Sequence, residues 1–230
     1  MIQLKILLLL ISILPISCGV SQTKNISEKT VYKYLAIGDS YTIGESVCSD
    51  CNYPTQLTDS LNKASTEKTS VKIIAKTGWT TTDLLSAITA ENPSKDYDLV
   101  TLLIGVNNQY QNKPFAIYKE EFPKLLDMAI GFAKGKPENV IVISIPDYGF
   151  TQFGQKSGKA EKASKELERY NMYAERIASE KGIYFENITP ITQKGLENPA
   201  LVASDGLHPS EVTYKMFVEK MFKKAFEILR

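Results

Sequence analysis

Segments with the character of β-strands alternate with segments of helical spacing along this chain from residue 31 to the C-terminus. Residues 98–104 and 139–145 are almost continuously apolar, which is typical of parallel strands buried on both faces. Residues 114–133 instead carry apolar side chains at the intervals of an amphipathic helix. This alternation predicts an α/β fold in which helices cover both faces of a parallel sheet of about five strands.

The individual elements follow from the same pattern. The predicted strands are 32–37, 71–75, 98–104, 139–145 and 183–185, and the predicted helices are 53–64, 82–89, 114–133, 159–181 and 211–229. Thr81 or Thr82 is expected to cap the second helix, and Pro209 with Ser210 is expected to begin the last one. Residues 146–158 contain three glycines and no periodicity, so we expect a long loop there.

Glycine and polar residues follow each of the first four predicted strands. The four clusters are Gly38-Asp39-Ser40, Thr77-Gly78-Trp79, Gly105-Val106-Asn107-Asn108 and Pro146-Asp147-Tyr148-Gly149. Right-handed crossovers bring the carboxyl ends of parallel strands to one edge of the sheet. Open α/β sheets bind their ligands at that edge, which is therefore the expected location of a functional site.

The composition excludes some classes of function without selecting one. The 230 residues are 43% apolar and 23% charged, as in ordinary globular proteins. A net charge of +1 gives no reason to expect a nucleic-acid partner. The sequence contains no repeat and no low-complexity tract, and residues 31–230 are assigned to one domain. No feature indicates an oligomeric state.

The first seventeen residues have the pattern of a secretory signal peptide. Lys5 precedes an apolar run over residues 6–14, which is too short to cross a bilayer as a helix. Cys18 follows a small residue at the end of this region, which resembles a bacterial lipoprotein signal and implies lipidation of Cys18. An ordinary cleaved signal with an incidental cysteine is the alternative.

Both interpretations predict export. The lipoprotein interpretation adds a lipid anchor in the membrane and places the protein in the cell envelope, either in the periplasm or at the cell surface. Residues 18–30 are mostly polar and lack periodicity, so we expect them to form a flexible tether between the anchor and the folded domain.

Cys48 and Cys51 lie shortly after the first strand. In an oxidising compartment, two cysteines at this spacing predict a short structural disulfide. A redox-active pair is the alternative, but that motif is expected to open a helix directly after a strand, where Ser40 already stands. Two cysteines and one distant histidine do not complete the four ligands of a zinc site, so no metal site is predicted.

Ser40 is the candidate nucleophile, since it follows an apolar strand at a sharp Gly-Asp turn. A serine hydroxyl is a weak nucleophile at neutral pH and needs a positioned base. The chain contains a single histidine, His208, and Asp205 precedes it by three residues. Asp205 is expected to bind the second ring nitrogen of His208 and to fix its tautomer, so these three residues are candidates for acyl transfer from an ester. Asp39 is expected to anchor the turn through backbone hydrogen bonds.

An ester hydrolase also needs hydrogen-bond donors for the oxyanion of the tetrahedral intermediate. The candidates are the backbone N–H groups of Ser40 and Gly78 and the side-chain amide of Asn107. Gly78 suits this role because a residue without a Cβ lets the substrate approach the backbone. Trp79, Tyr41 and Tyr148 are candidates for lining a substrate cleft, although packing explains each of them equally well.

Four sequence blocks resemble those of the SGNH hydrolases, the GDSL-type esterases and lipases. They are Gly38-Asp39-Ser40-Tyr41, Gly78, Gly105-x-Asn107 and Asp205-x-x-His208, in the family's order and within about residues 32–228. The resemblance implies a flavodoxin-like three-layer α/β/α sandwich and no metal or organic cofactor. It further implies Ser40 as nucleophile, Gly78 and Asn107 as oxyanion donors, and Asp205 with His208 as the rest of the triad.

Two residues depart from the family pattern. Tyr41 stands where the family has leucine, and Asn108 stands where it usually has aspartate. We expect Tyr41 to affect packing, and Asn108 to support its loop through hydrogen bonds without a charge.

The sequence thus predicts an exported serine esterase that acts on a small-molecule or glycan ester. Short acyl groups, such as acetyl on a carbohydrate, are favoured because no long apolar lid segment is present. A lysophospholipase or an acyltransferase with the same triad, and a glycan-binding envelope lipoprotein without turnover, remain alternatives.

Overall fold

The computed structural model describes residues 31–230. The predicted signal peptide over residues 1–17, the lipidation of Cys18 and the tether over residues 18–30 lie outside the described residues. The strands are Val31–Gly38 (β1), Lys68–Ala75 (β2), Leu99–Leu103 (β3), Val140–Ile143 (β4) and Tyr184–Glu186 (β5). In the described chain they form one sheet in the order β2-β1-β3-β4-β5, with all neighbours parallel. This is the flavodoxin-like order, so the predicted α/β fold is confirmed.

Helices cover the two faces of the sheet in two groups. The helices are Ser40–Ile43 (α1), Tyr53–Ala64 (α2), Thr81–Glu91 (α3), Val106–Tyr110 (α4), Phe115–Phe132 (α5), Gln152–Lys156 (α6), Ala160–Glu180 (α7), Thr189–Thr192 (α8) and Glu211–Ile228 (α9). Helices α2 and α9 pack against each other, while α5 packs against α3 and α7. The result is a three-layer α/β/α sandwich.

The centre of the sheet is the most deeply buried part of the protein. Residues Tyr34 to Ile37 of β1 and nearly all side chains of β3 and β4 are inaccessible to solvent, which explains why these strands read as continuous apolar runs. Gly38 ends β1 in this dense region. A Cβ on Gly38 would lie 2.3 Å from the carbonyl oxygen of Leu103 and 2.2 Å from Thr42 Oγ1. Only glycine therefore lets β1 turn into α1 beside β3.

Two local predictions are wrong. Residues 146–158 are not a continuous loop, because Tyr148–Phe150 form a 3₁₀ turn and Gln152–Lys156 form α6. Helix α3 is capped by Thr80, whose Oγ1 accepts from the N–H of Asp83 while Asp83 Oδ2 accepts from the N–H of Thr80. This reciprocal capping box selects Thr80 over Thr81 and Thr82.

The last helix begins as predicted. Ser210 caps α9 by accepting a hydrogen bond from the N–H of Thr213 at 3.3 Å. Between residues 31 and 230, no helix combines the length and the apolar character needed to cross a membrane.

Candidate active site

Ser40 lies at the carboxyl edge of the sheet as the first residue of α1, and its side chain is almost fully buried. Asp39 caps this short helix, since its Oδ1 accepts a hydrogen bond from the N–H of Tyr41 at 3.0 Å. The anchoring role expected for Asp39 is therefore confirmed. The N–H of Ser40 belongs to the first helical turn, where backbone N–H groups have no acceptor within their own helix.

The second oxygen of Asp39 has no partner. Asp39 is completely buried, and among the described residues its Oδ2 makes no hydrogen bond. Burial of the charged form raises the pKa of this carboxyl from its ordinary value to about 7, against the smaller opposing effect of the hydrogen bond from Tyr41. Asp39 therefore binds a proton near neutral pH much more readily than an exposed aspartate.

Asp205 and His208 form a hydrogen-bonded pair on the loop before α9. Asp205 Oδ2 lies 2.6 Å from Nδ1 of His208, and Asp205 Oδ1 accepts the backbone N–H groups of Leu207 and His208 at 2.9 and 3.0 Å. Partial burial alone would raise the pKa of Asp205. The hydrogen bonds, led by the one from His208, outweigh burial and lower this pKa to about 2. Asp205 is therefore a carboxylate at any physiological pH.

Ser40 and His208 line one cavity of about 220 Å³. The His208 ring is mostly buried and packs edge-on against the ring of Tyr41, with the centroids 5.6 Å apart. Among the hydrogen bonds of residues 31–230, none joins the Ser40 hydroxyl to the His208 ring. Such contacts are often long without substrate and tighten when it binds.

Gly78 and Asn107 line the same cavity. Gly78 has a φ of +86°, and a Cβ there would meet no atom within 4 Å. Its N–H finds no acceptor in the described part of the chain. Asn107 donates one amide hydrogen of Nδ2 to the carbonyl oxygen of Trp79 at 2.9 Å, which leaves its second N–H for another acceptor. Both predicted donor residues thus border the space next to Ser40.

Asn108 ties this loop to the start of α3. Its Oδ1 accepts from the N–H of Thr81 at 2.9 Å, and its Nδ2 donates to Thr81 Oγ1 at 2.7 Å. The Thr81 hydroxyl in turn donates to the Glu121 carboxylate. An aspartate at position 108 would offer no donor to this hydroxyl, which would then face two carboxylates. The neutral amide therefore fits this position, and its expected support of the loop is confirmed.

The remaining walls of the cavity are mostly aromatic or aliphatic. The lining side chains besides those already described are Tyr41, Thr77, Val106, Tyr110, Tyr148, Phe153 and Leu207. Trp79 does not line this cavity. Tyr110 and Phe153 were not among the predicted site residues, although Tyr110 follows the Gly105-x-Asn107 block by three residues. Tyr110 is 52% exposed and packs edge-on against Tyr148, so its ring borders the mouth of the cavity.

Cys48 and Cys51 lie between α1 and α2, with their sulfur atoms at disulfide distance and their Cα atoms 5.0 Å apart. Within residues 31–230, no three His, Cys, Asp or Glu side chains come together as a potential metal site.

Comparison with known proteins agrees with this architecture. Residues 36–216 match the model of the GDSL-like lipase/acylhydrolase family. No curated protein sequence matches the chain significantly. The chain resembles the lipase/acylhydrolase from Enterococcus faecalis at a TM-score of 0.67 and 20% identity, covering 86% of this chain and 97% of that one.

Two further solved structures have similar folds. For an acetylxylan esterase from Geobacillus stearothermophilus the TM-score is 0.60 at 19% identity, with 86% of this chain and 96% of that one covered. For a G-D-S-L lipolytic protein from Veillonella parvula the TM-score is 0.63 at 16% identity, with 84% and 97% covered. The family match spans most of the chain and every block at the sheet edge, so this protein belongs to the GDSL-like lipase/acylhydrolase family and is a carboxylic ester hydrolase of the SGNH type.

Proposed function

We propose that this protein hydrolyses esters of short acyl groups, above all acetyl groups on carbohydrate, through a triad of Ser40, His208 and Asp205. The observation that carries the proposal is the place of the only histidine. His208 borders the same cavity as Ser40 and is held through Nδ1 by Asp205. That bond leaves Nε2 as the free ring nitrogen, the tautomer that a general base needs.

In this mechanism Ser40 Oγ attacks the ester carbonyl carbon while His208 Nε2 takes the hydroxyl proton. The tetrahedral intermediate then collapses, the bond between carbon and the alcohol oxygen breaks, and His208 returns the proton to the leaving alcohol. A water molecule repeats both steps on the acyl-enzyme and releases the carboxylic acid. Asp205 stays ionised throughout and stabilises the imidazolium.

The oxyanion would be bound by the N–H groups of Ser40 and Gly78 and by the free amide N–H of Asn107. Ser40, Gly78 and Asn107 line the same cavity, and within the described residues the Gly78 N–H donates to no other acceptor; both observations support this assignment. Donors held in place by the fold need no reorganisation when charge develops on the oxyanion. They therefore stabilise the transition state more than water molecules would.

The preference for short acyl groups rests on the dimensions and chemistry of the cavity. A volume of about 220 Å³ with largely apolar walls suits a small acyl group. The exposed ring of Tyr110 at its mouth offers a flat surface for the apolar face of a sugar. One similar fold belongs to an acetylxylan esterase, which agrees with this substrate class.

The test is a comparison of p-nitrophenyl acetate with the butyrate ester and with acetylated xylo-oligosaccharides, using protein that begins at Ser21. We expect hydrolysis that is faster for acetate than for butyrate and that falls at least 1,000-fold in Ser40→Ala, since loss of a triad member leaves only residual catalysis. Binding of the oligosaccharide without hydrolysis of any ester would contradict the proposal. Transfer of the acyl group to an added alcohol in preference to water would identify an acyltransferase.

We further propose that the protein is exported and anchored through a lipidated Cys18. The motivating observations are the sequence pattern of residues 1–18 and the disulfide-distance pair at Cys48 and Cys51, since such bonds persist in oxidising compartments. Expression in a bacterial host should give a membrane-bound, lipid-labelled protein, and Cys18→Ser should lose the label. An unlabelled wild-type protein would contradict the anchor.

A further inference from the structure

Residues 44–52, here called the clasp loop, connect α1 to α2 and bind two other parts of the site. Ser46 Oγ donates a hydrogen bond to Asp205 Oδ2 at 2.7 Å, across 159 positions of sequence. Glu45 accepts a hydrogen bond from the hydroxyl of Thr77, which precedes Gly78 and lines the cavity. The clasp loop therefore joins the segment that carries Ser40 to the acid–base loop and to the loop that carries Gly78.

The hydrogen bonds of Asp205 single out Ser46. A carboxylate has about four acceptor sites, and those of Asp205 are all used. Three of the four donors, two backbone N–H groups and Nδ1 of His208, come from the two residues Leu207 and His208. These three donors lie on the same loop as Asp205, so they do not fix the carboxylate relative to the rest of the protein. Ser46 is the remaining donor, and it alone connects the carboxylate to a distant part of the described chain.

The backbone of Ser46 is in an unfavourable conformation that the rest of the clasp loop maintains. Its φ is +66°, in the left-handed region that non-glycine residues seldom adopt. The Cys48–Cys51 pair fixes the loop after Ser46. The amide of Asn52 donates to the carbonyl oxygens of Ser49 and Ile43 and so ties the end of the loop to its beginning. Backbone conformations of this kind persist where the surroundings over-determine them, commonly at functional sites. Glycine would adopt this φ with less conformational strain. The feature that serine adds at this position is its hydroxyl.

We propose that Ser46 is a positioning residue for the acid–base pair. It touches no substrate. Its hydroxyl fixes the orientation of the Asp205 carboxylate, so that Oδ2 stays in line with Nδ1–H of His208 and the ring stays beside the cavity that it shares with Ser40. This inference rests on the proposed triad. It assigns the clasp loop the function of aligning the Asp205–His208 pair with the segment that carries Ser40.

The test uses the full chain purified in detergent, in three variants. Ser46→Ala removes the hydroxyl and keeps the backbone strain, whereas Ser46→Gly removes the hydroxyl and suits the left-handed φ. Ser49→Ala is the matched control, because the Ser49 hydroxyl on the same loop contacts only the exposed Asp50. We expect kcat to fall about tenfold in both Ser46 variants with KM changed less than twofold, as for loss of one hydrogen bond to a charged group. Ser49→Ala should match the wild type.

A second readout does not need a substrate. Because His208 is the only histidine, ¹⁵N-histidine labelling gives one imidazole spectrum, in which the Nδ1–H proton reports the bond to Asp205. We expect this signal to weaken or broaden in both Ser46 variants and to persist in Ser49→Ala. If the wild type hydrolysed no ester, the proposed function would fail while this spectrum still tested the role of Ser46.

Two outcomes would overturn the inference. One is an unchanged kcat and an unchanged Nδ1–H signal in Ser46→Gly, with only Ser46→Ala impaired, which would show that the backbone and not the hydroxyl matters. The other is an equal loss in Ser46→Gly and Ser49→Ala, which would indicate a general loosening of the loop. Ser46→Gly keeps the test decisive even if Ser46→Ala fails to fold.

Discussion

The two halves of the site are held by different forces. The nucleophile turn, residues 38–42, continues β1, an interior strand of the sheet, and is buried throughout. The acid–base loop, residues 203–209, is exposed at Ser204 and Asp205 and buried at His208 and Pro209, and several hydrogen bonds hold it in place. The N–H of Ala203 donates to the carbonyl of His208 at 2.7 Å, and the N–H of Phe153 donates to that of Gly206 at 3.0 Å.

Because of this difference, substitutions in the nucleophile turn should mainly affect the free energy of unfolding, and substitutions in the acid–base loop should mainly affect kcat. The nucleophile is placed by the same packing that folds the sheet, so a change there acts on the free energy of unfolding. The base is placed by a partly exposed loop through packing on Tyr41 and a few polar contacts, each of which contributes only about 1 kcal/mol to stability. Changes in the acid–base loop should therefore reduce turnover far more than they reduce stability.

The largest effect should come from Asp205→Asn. The amide occupies the same space but favours the wrong tautomer of His208 and does not stabilise the imidazolium, so kcat should fall by about 10⁴-fold. Kinetics with p-nitrophenyl acetate measure this, and circular dichroism verifies the fold. A loss of less than tenfold in folded protein would mean that Asp205 is not the acid of a triad.

Asn107→Ala should have the next largest effect. Loss of one oxyanion donor reduces kcat by about 100-fold to 1,000-fold. The control is Gln111→Ala, because Gln111 Nε2 donates to the Gly78 carbonyl at 2.9 Å and so tethers the same loop without contributing an oxyanion donor. Similar losses in the two variants would assign Asn107 to loop support alone.

A pair of glycine substitutions compares the stability of the two halves directly. Gly38→Ala forces a Cβ against the backbone of Leu103 and should lower the free energy of unfolding by about 3 kcal/mol. Gly206→Ala meets no atom closer than 3.7 Å and costs only the strain of its φ of +72°, about 1 kcal/mol. Urea denaturation measures both values, and equal losses would refute the contrast.

Asp39 should make the nucleophile turn sensitive to pH. Its pKa is raised to about 7 in the folded protein, against about 3.9 in an unfolded chain, so between these values the folded state binds more protons. Stability from this group is then complete below about pH 4 and falls as the pH rises, by about 2 kcal/mol between pH 5 and pH 7.

Asp39→Asn keeps the oxygen that caps α1 but does not titrate. Urea denaturation at several pH values measures the free energy of unfolding of both proteins. Relative to the variant, the wild type should lose stability as the pH rises from 5 to 7. A difference that is constant between pH 5 and pH 7 would show that Asp39 is ionised throughout this range.

The same contrast explains what the sequence could predict. The alternation of buried strands and amphipathic helices predicted the sheet, and the polar clusters after β1, β2 and β3 predicted the side chains that share its edge. The N-cap was misplaced because Thr80, Thr81 and Thr82 are chemically alike, and only the contact with Asp83 distinguishes them. Helix α6 is too short to show a helical period, so Phe153 was missed. The bond from Ser46 to Asp205 joins loops 159 residues apart, which no local pattern encodes.

The most direct measurement of the central claim is the acyl-enzyme itself. The protein is mixed with p-nitrophenyl acetate, quenched in acid during turnover and digested for peptide mass spectrometry. We predict one acetyl group on Ser40, absent from Ser40→Ala, which should also lose hydrolysis. An acetyl group on another residue during turnover, or hydrolysis that persists in Ser40→Ala, would contradict the assignment of Ser40 as the nucleophile.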